Sequence, residues 1–109
     1  MMIDQPRILL GYYEAISHVS QVMLQAATRD DWKAFEHAQS CCEELVRCLQ
    51  ETGITLDSLD EGGRRRRMEI MRQLLSDDAR IRNLAQPSFQ RLDVLLAGRR
   101  LSEFEKRAY

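Results

Sequence analysis

A chain of 109 residues, 44% hydrophobic and 30% charged, has the size and composition of one globular domain rather than a disordered segment. Its formal net charge of −1 gives the whole molecule no electrostatic attraction to nucleic acid or to an anionic membrane. Three cysteines, two of them adjacent, suit free thiols in a reducing cytosol, and no apolar run nears the roughly 18 residues that span a bilayer.

The opening Met-Met-Ile-Asp-Gln-Pro has no basic region followed by an apolar one, so no signal peptide is expected and the cytoplasm is the expected location. Two prolines, five glycines and an abundance of Ala, Leu, Met, Gln, Glu and Arg favour helix throughout. Asp4 can cap a first helix, with Pro6 tolerated in its opening turn. Ile8, Tyr12, Ala15, Ile16, Val19, Val22, Met23 and Ala26 then form one apolar stripe, which carries the helix to about Ala27.

Thr28 to Asp31 is a tight connection in which Asp30 or Thr28 can cap the next helix. That helix has a stripe of Trp32, Phe35, Ala38, Gln39, Cys42, Leu45, Val46 and Leu49, and Gly53 is placed to end it in the left-handed conformation. So short a link folds the first two helices into an antiparallel hairpin. Residues 54–63 form the one real linker. Its Ser58-Leu59-Asp60-Glu61 fits a capping box, but Gly62-Gly63 follows at once, and each glycine costs a helix about 1 kcal/mol. The start of helix three on either side of that pair stays open. Cations oppose the dipole at a helix N-terminus, so the arginines that follow favour the earlier start, at Ser58.

The stretch from Arg64 to Gly98 reads as one long helix around which the others are organised. With Ile70 as origin, Leu74, Ile81, Leu84, Ala85, Leu92, Leu95 and Leu96 fall in one core arc. Met68, Met71, Leu75, Ala79 and Phe89 lie to one side of it as a second apolar stripe, which implies that something docks there. Pro87 predicts a kink or break near Gln86, and Gly98 a stop. Leu101, Phe104 and Ala108 then mark a short amphipathic piece. The expected architecture is all-α: a single domain over 1–109, a small antiparallel bundle of three long helices, the third kinked or broken near Pro87, plus a short C-terminal helix.

Chemistry-bearing motifs are sparse. Arg64 to Arg67 can be read as a patch for phosphate or an acidic partner, or as a solvated turn paired with Glu61 and Glu69. Cys41, Cys42, Cys48, His18 and His37 lack metal-ligand spacing, and Cys42 sits in a core stripe where it acts as a small apolar residue. Neither histidine has a glutamate three residues before it, as carboxylate-bridged metal bundles require. Serine-nucleophile signatures and phosphate loops are also missing, so neither an enzyme nor a cofactor is expected. Asp77 falls inside the core arc, where Arg80 or Arg82 can pair with it.

The order of parts resembles the flagellar protein FliT family, small helical export chaperones of bacterial flagellar assembly. The matching features are an amphipathic first helix and Arg29-Asp30-Asp31-Trp32-Lys33-Ala34-Phe35 opening the second. Leu74-Leu75-Ser76-Asp77-Asp78-Ala79-Arg80-Ile81-Arg82, Leu92-Asp93-Val94-Leu95-Leu96 and a closing Ala108-Tyr109 follow in sequence. The resemblance implies a cytoplasmic chaperone that binds an amphipathic segment of the filament-cap protein in an apolar groove. It also implies contacts with the export ATPase or export-gate components, and restraint of the flagellar master transcriptional activator. The client surface it implies is Leu75, Ala79, Arg82, Phe89, Leu101 and Phe104, to which the second stripe adds Met68 and Met71. The C-terminal piece, a second copy of the chain in a homodimer, or the client could each cover that stripe. The alternative function is a helical nucleic-acid-binding or transcription-regulatory adaptor using Arg64 to Arg67. Steep salt dependence would mark that alternative, and salt tolerance an apolar groove.

Overall fold

The computed structural model of the chain describes residues 4–84. Three α-helices account for most of them: α1 over Gln5–Thr28, α2 over Trp32–Thr52 and α3 over Glu61–Leu84, with a 3₁₀ turn over Leu56–Ser58 before the third. No strand occurs among the described residues. The kink expected near Pro87 and the C-terminal helix expected at Leu101 to Ala108 lie outside the described residues.

The caps explain the boundaries. The Asp4 carboxylate accepts from the Arg7 amide at 3.3 Å, which gives one unpaired donor of the first turn of α1 a partner, and Pro6 sits where no amide is needed. At the next boundary Asp31, and neither Asp30 nor Thr28, is the cap of α2; it accepts from the Ala34 amide at 3.1 Å. Asp30 instead takes a left-handed backbone with φ 60°, a conformation that aspartate tolerates better than most residues, and this reverses the chain between the two helices. Its side chain accepts from the Trp32 indole N–H. Gly53, at φ 66°, ends α2 as the sequence indicates.

Helix α1, and not α3, is the element on which the others pack. Both α2 and α3 have extensive interfaces with α1 and none comparable with each other. The core stripe of α1 is accordingly rotated by about one residue from the expected one. Leu9, Tyr13, Ile16, Ser20, Met23 and Ala27, at alternating steps of four and three, are buried, while Ile8 and Val22 are about one-third exposed. Because α1 serves two neighbours, its buried arc must be broader than a single a/d seam, and it therefore takes in Ser17 and Ser20. From α2 the core receives Phe35, Ala38, Cys42 and Val46; from the linker Ile54 and Leu59; from α3 Ile70, Met71, Leu74 and Ile81. Contacts between α1 and α3 advance in the same direction along both helices, from Glu14–Arg66 to Ser20–Asp77, so α3 runs parallel to α1.

Candidate functional site

Helix α3 starts at Glu61, after the 3₁₀ turn and before the glycine pair, so its first turn contains both glycines. Asp60 makes this start workable: its carboxylate accepts from the Gly63 amide at 2.7 Å. Gly63 is buried under Leu59, and a Cβ there would come within 3.2–3.3 Å of the Leu59 side chain and the Asp60 carboxylate. The glycine thus lets Leu59 close over the end of the core.

The four arginines that follow do different things. Arg66 is a staple to α1. Its Nε and Nη2 both donate to the Glu14 carboxylate at 2.7 Å, and Nη1 donates to Glu69 at 3.1 Å. Those bonds from Arg66 hold the Glu14 carboxyl below its ordinary range and raise the Arg66 guanidinium. Arg67 donates from Nε to the Tyr13 hydroxyl at 3.1 Å and lies 5.3 Å from the centre of that ring. Arg65 makes only a 3.5 Å contact with Glu61, and Arg64 has no carboxylate partner among the described residues. Sequence reading anticipated Glu61 and Glu69 but not Glu14 or Tyr13, since nothing in the sequence shows that residues 13 and 66 are neighbours.

Further along, the two aspartates part ways. Asp77, buried, accepts from the Ser20 hydroxyl at 2.8 Å, instead of pairing with Arg80 or Arg82. Arg82 pairs with the next carboxylate, Asp78, one helical turn back at 3.1 Å, and Asp78 is 1% exposed.

The expected second stripe is narrower than the sequence suggests. Met71 is buried at 8% exposure and belongs to the core. On the helical wheel it lies about 100° from Ile70, at the edge of an arc that extends to Asp78 because α1 meets α3 from that side. Ala79 is half-buried. Met68 and Leu75 are the outward ones, at 47% and 51% exposure, and they stand seven residues apart on one face. Arg65, Arg72 and Arg82 flank them, all exposed, and Arg72 has no carboxylate partner among the described residues. Leu84, assigned by its phase to the core arc, is 47% exposed at the end of the described chain. Phe89, Leu101 and Phe104 lie outside the described residues.

Sequence reading missed a second feature. Between α1 and α2 an open groove is lined by residues that include Val19, Val22, Ala34, Ala38 and Cys41 with the charged Lys33 and Glu36. The signal available was the width of the apolar surface of α1, too broad for one partner. His18 and His37 are exposed, and Cys42 is fully buried. Burial pushes the Cys42 thiol up to about 12, with the Glu43 charge adding to the effect. No group of His, Cys, Asp and Glu among the described residues is arranged to hold a metal ion, and no described helix is long and apolar enough to cross a membrane.

Met68 and Leu75 thus leave two large apolar side chains on one outward face of a helix whose opposite side is core. In comparison with protein families, the model of flagellar protein FliT matches residues 10–109, nearly the entire chain. The chain belongs to the FliT family. No curated relative and no solved structure matches it. The FliT match begins within α1 and runs through α2 and α3, so the outward face of α3, the α1–α2 groove and the staple of Arg66 to Glu14 all lie inside the matched region.

Proposed function

We propose that this FliT-family chain is an export chaperone of flagellar assembly, acting in the cytoplasm without catalysis. It holds an amphipathic segment of the filament-cap protein against the outward face of α3. The observation that carries this reading is the pair Met68 and Leu75, about half exposed on one face of α3. A large apolar side chain kept in water on an ordered helix is a standing cost that a bound partner removes. Ala79 leaves space for close approach, and Arg82, fixed on Asp78, edges the same face. Phe89, Leu101 and Phe104 extend the client surface beyond the described helices. Met71 supports the face from beneath and does not itself touch the client. Contacts with the export ATPase or export gate, and with the master activator, are further roles of the same protein.

The nucleic-acid alternative loses ground here, because Arg66 and Arg67 are spent on Glu14, Glu69 and Tyr13. The test is a titration of the purified chain with purified cap protein. Leu75→Glu should abolish binding while the helical circular dichroism and melting curve stay unchanged, because the new charge is solvated in the free protein and buried only in the complex. Undiminished binding by that variant refutes the assignment of the face.

A further inference from the structure

We infer that the outward face of α3 recognises an acidic amphipathic helix, a partner whose carboxylates flank apolar residues about seven positions apart. This rests on the client-binding reading and specifies the chemistry of the client. Arg65, Met68, Arg72, Leu75, Ala79 and Arg82 follow one another at alternating steps of three and four, the spacing of a helix-to-helix seam. Met68 and Leu75 stand about 10.5 Å apart along the axis, two knobs for one partner helix.

Among the exposed charged residues of that face Arg65, Arg72 and Arg82 outnumber the one carboxylate, Glu61. Helix α3 carries seven arginines, and of its four carboxylates Asp77 and Asp78 are buried, which leaves only Glu61 and Glu69 in solvent. Arg66 takes up Glu69 and turns toward α1, and Glu61 lies 3.5 Å from Arg65. Arg64, Arg72 and Arg80 keep exposed guanidinium groups with no carboxylate partner among the described residues. The net charge of −1 conceals this separation, because the outward carboxylates Glu36, Glu43, Glu44 and Glu51 are on α2.

Two occupants from within the protein fit less well. Residues 99–109 carry Arg99, Arg100, Lys106 and Arg107 against Glu103 and Glu105, the same sign as the face they would cover. A second copy could offer the acidic face of α2, but none of the large exposed hydrophobic residues is on that helix, so Met68 and Leu75 would find no apolar counterpart. A nucleic acid would satisfy the arginines and leave both apolar side chains without a partner. An external helix that is acidic and apolar together satisfies every group on the face.

The experiment titrates the full chain with two labelled synthetic peptides of equal helicity, each with leucines at heptad spacing, one flanked by glutamates and one by lysines. A DNA duplex serves as a third probe. The glutamate peptide should bind and the lysine peptide and duplex should not. Binding should weaken about tenfold or more between about 0.1 M and about 1 M salt, over which the Debye length falls from about 10 Å to about 3 Å. Arg72→Glu should cost the glutamate peptide about tenfold or more and admit the lysine peptide, with helicity unchanged. Equal binding of both peptides, tighter binding of the duplex, or failure of the glutamate peptide to bind overturns the inference. The cap-protein titration separates the two levels: cap protein that binds and is lost with Leu75→Glu, alongside a glutamate peptide that does not bind, leaves the chaperone reading standing and removes this one.

Discussion

Replacing Ser20 with alanine removes a single oxygen atom and should nonetheless be among the more damaging small changes to this protein. Ser20 is fully buried and its hydroxyl lies 2.8 Å from the Asp77 carboxylate and 2.9 Å from the Ser17 carbonyl. A hydroxyl has one proton to donate, and the carbonyl is already served by the helix, so the carboxylate is the acceptor with more to lose. Hydrogen bonds to charged groups contribute about 1.5–3 kcal/mol, and an acceptor left buried without its donor forfeits that amount. Ser20→Ala should therefore cost about 2 kcal/mol, close to 8 °C in melting temperature for a domain of this size. Asp77→Asn keeps the shape and removes the charge; in that background the same serine deletion should cost only about 1 kcal/mol, leaving about 1 kcal/mol of coupling. Urea denaturation of the four variants, followed by far-ultraviolet circular dichroism, reads the cycle. A Ser20→Ala effect under about 0.5 kcal/mol, the range of ordinary surface changes, would refute the claim that this pair is a desolvated link between α1 and α3.

Phe35→Ala should destabilise by about 3–5 kcal/mol in a thermal melt. Trp32→Ala should cost less, because Trp32 is only partly buried and bonds locally to Asp30; the reverse order would refute the packing of α2. Thiol labelling should reach Cys41 and Cys48 in the folded protein and Cys42 only on unfolding, since that thiol is buried and pushed up to about 12. Labelling of Cys42 as fast as Cys41 would contradict this. Glu14→Gln should lower stability at neutral pH by less than about 1 kcal/mol, both partners being nearly half exposed. Since the Glu14 carboxyl is lowered in the folded state, its contribution is present above the ordinary glutamate range and is lost as pH falls through the folded value. The variant and parent should therefore converge in acid, and a difference that persists there would rule out the Arg66 bond as its source.

Local signals in the sequence are strong enough to give three helices and the bounds of the first two, because caps and stops act within a few residues. Asp4, Gly53 and the phase of Phe35, Ala38, Cys42 and Val46 all stand where their spacing puts them. The cap of α2 was misplaced by one residue because Asp30 and Asp31 are equivalent in type, and only the left-handed turn at Asp30 separates them. What periodicity could not tell was which helix lies between the other two. Two adjacent apolar stripes on α1 read as one, which rotates the core by about a residue; Ile8 and Val22 are left outside and Leu9 and Tyr13 are brought in. The misplacement of Met71 has the same origin, since the direction from which α1 approaches decides which flank of the Ile70 arc is covered. Long-range partners such as Glu14 with Arg66 were illegible because charge pairing has no period.

The central position of α1 also accounts for why α3 has a face to spare. A helix wedged between two neighbours buries a broad arc, as α1 does with residues as polar as Ser17 and Ser20. A helix with one extensive neighbour buries only the arc turned toward it, and among the described residues α3 has α1 alone. Its buried positions Ile70, Met71, Leu74, Asp77, Asp78 and Ile81 fill about a third of the circumference. The remainder is where an ordinary surface helix would show only polar residues, and here Met68 and Leu75 interrupt the arginines. Folding does not require either side chain to be apolar at those positions. Substituting them should therefore leave the fold intact and change what the protein binds, whereas Met71, one turn from Met68 and Leu75 and facing inward, should behave as core. Met71→Glu and Leu75→Glu, compared in one melting experiment, separate a face that serves the fold from one that serves a partner: the first should unfold the domain and the second should not, and equal melting curves would sink the distinction.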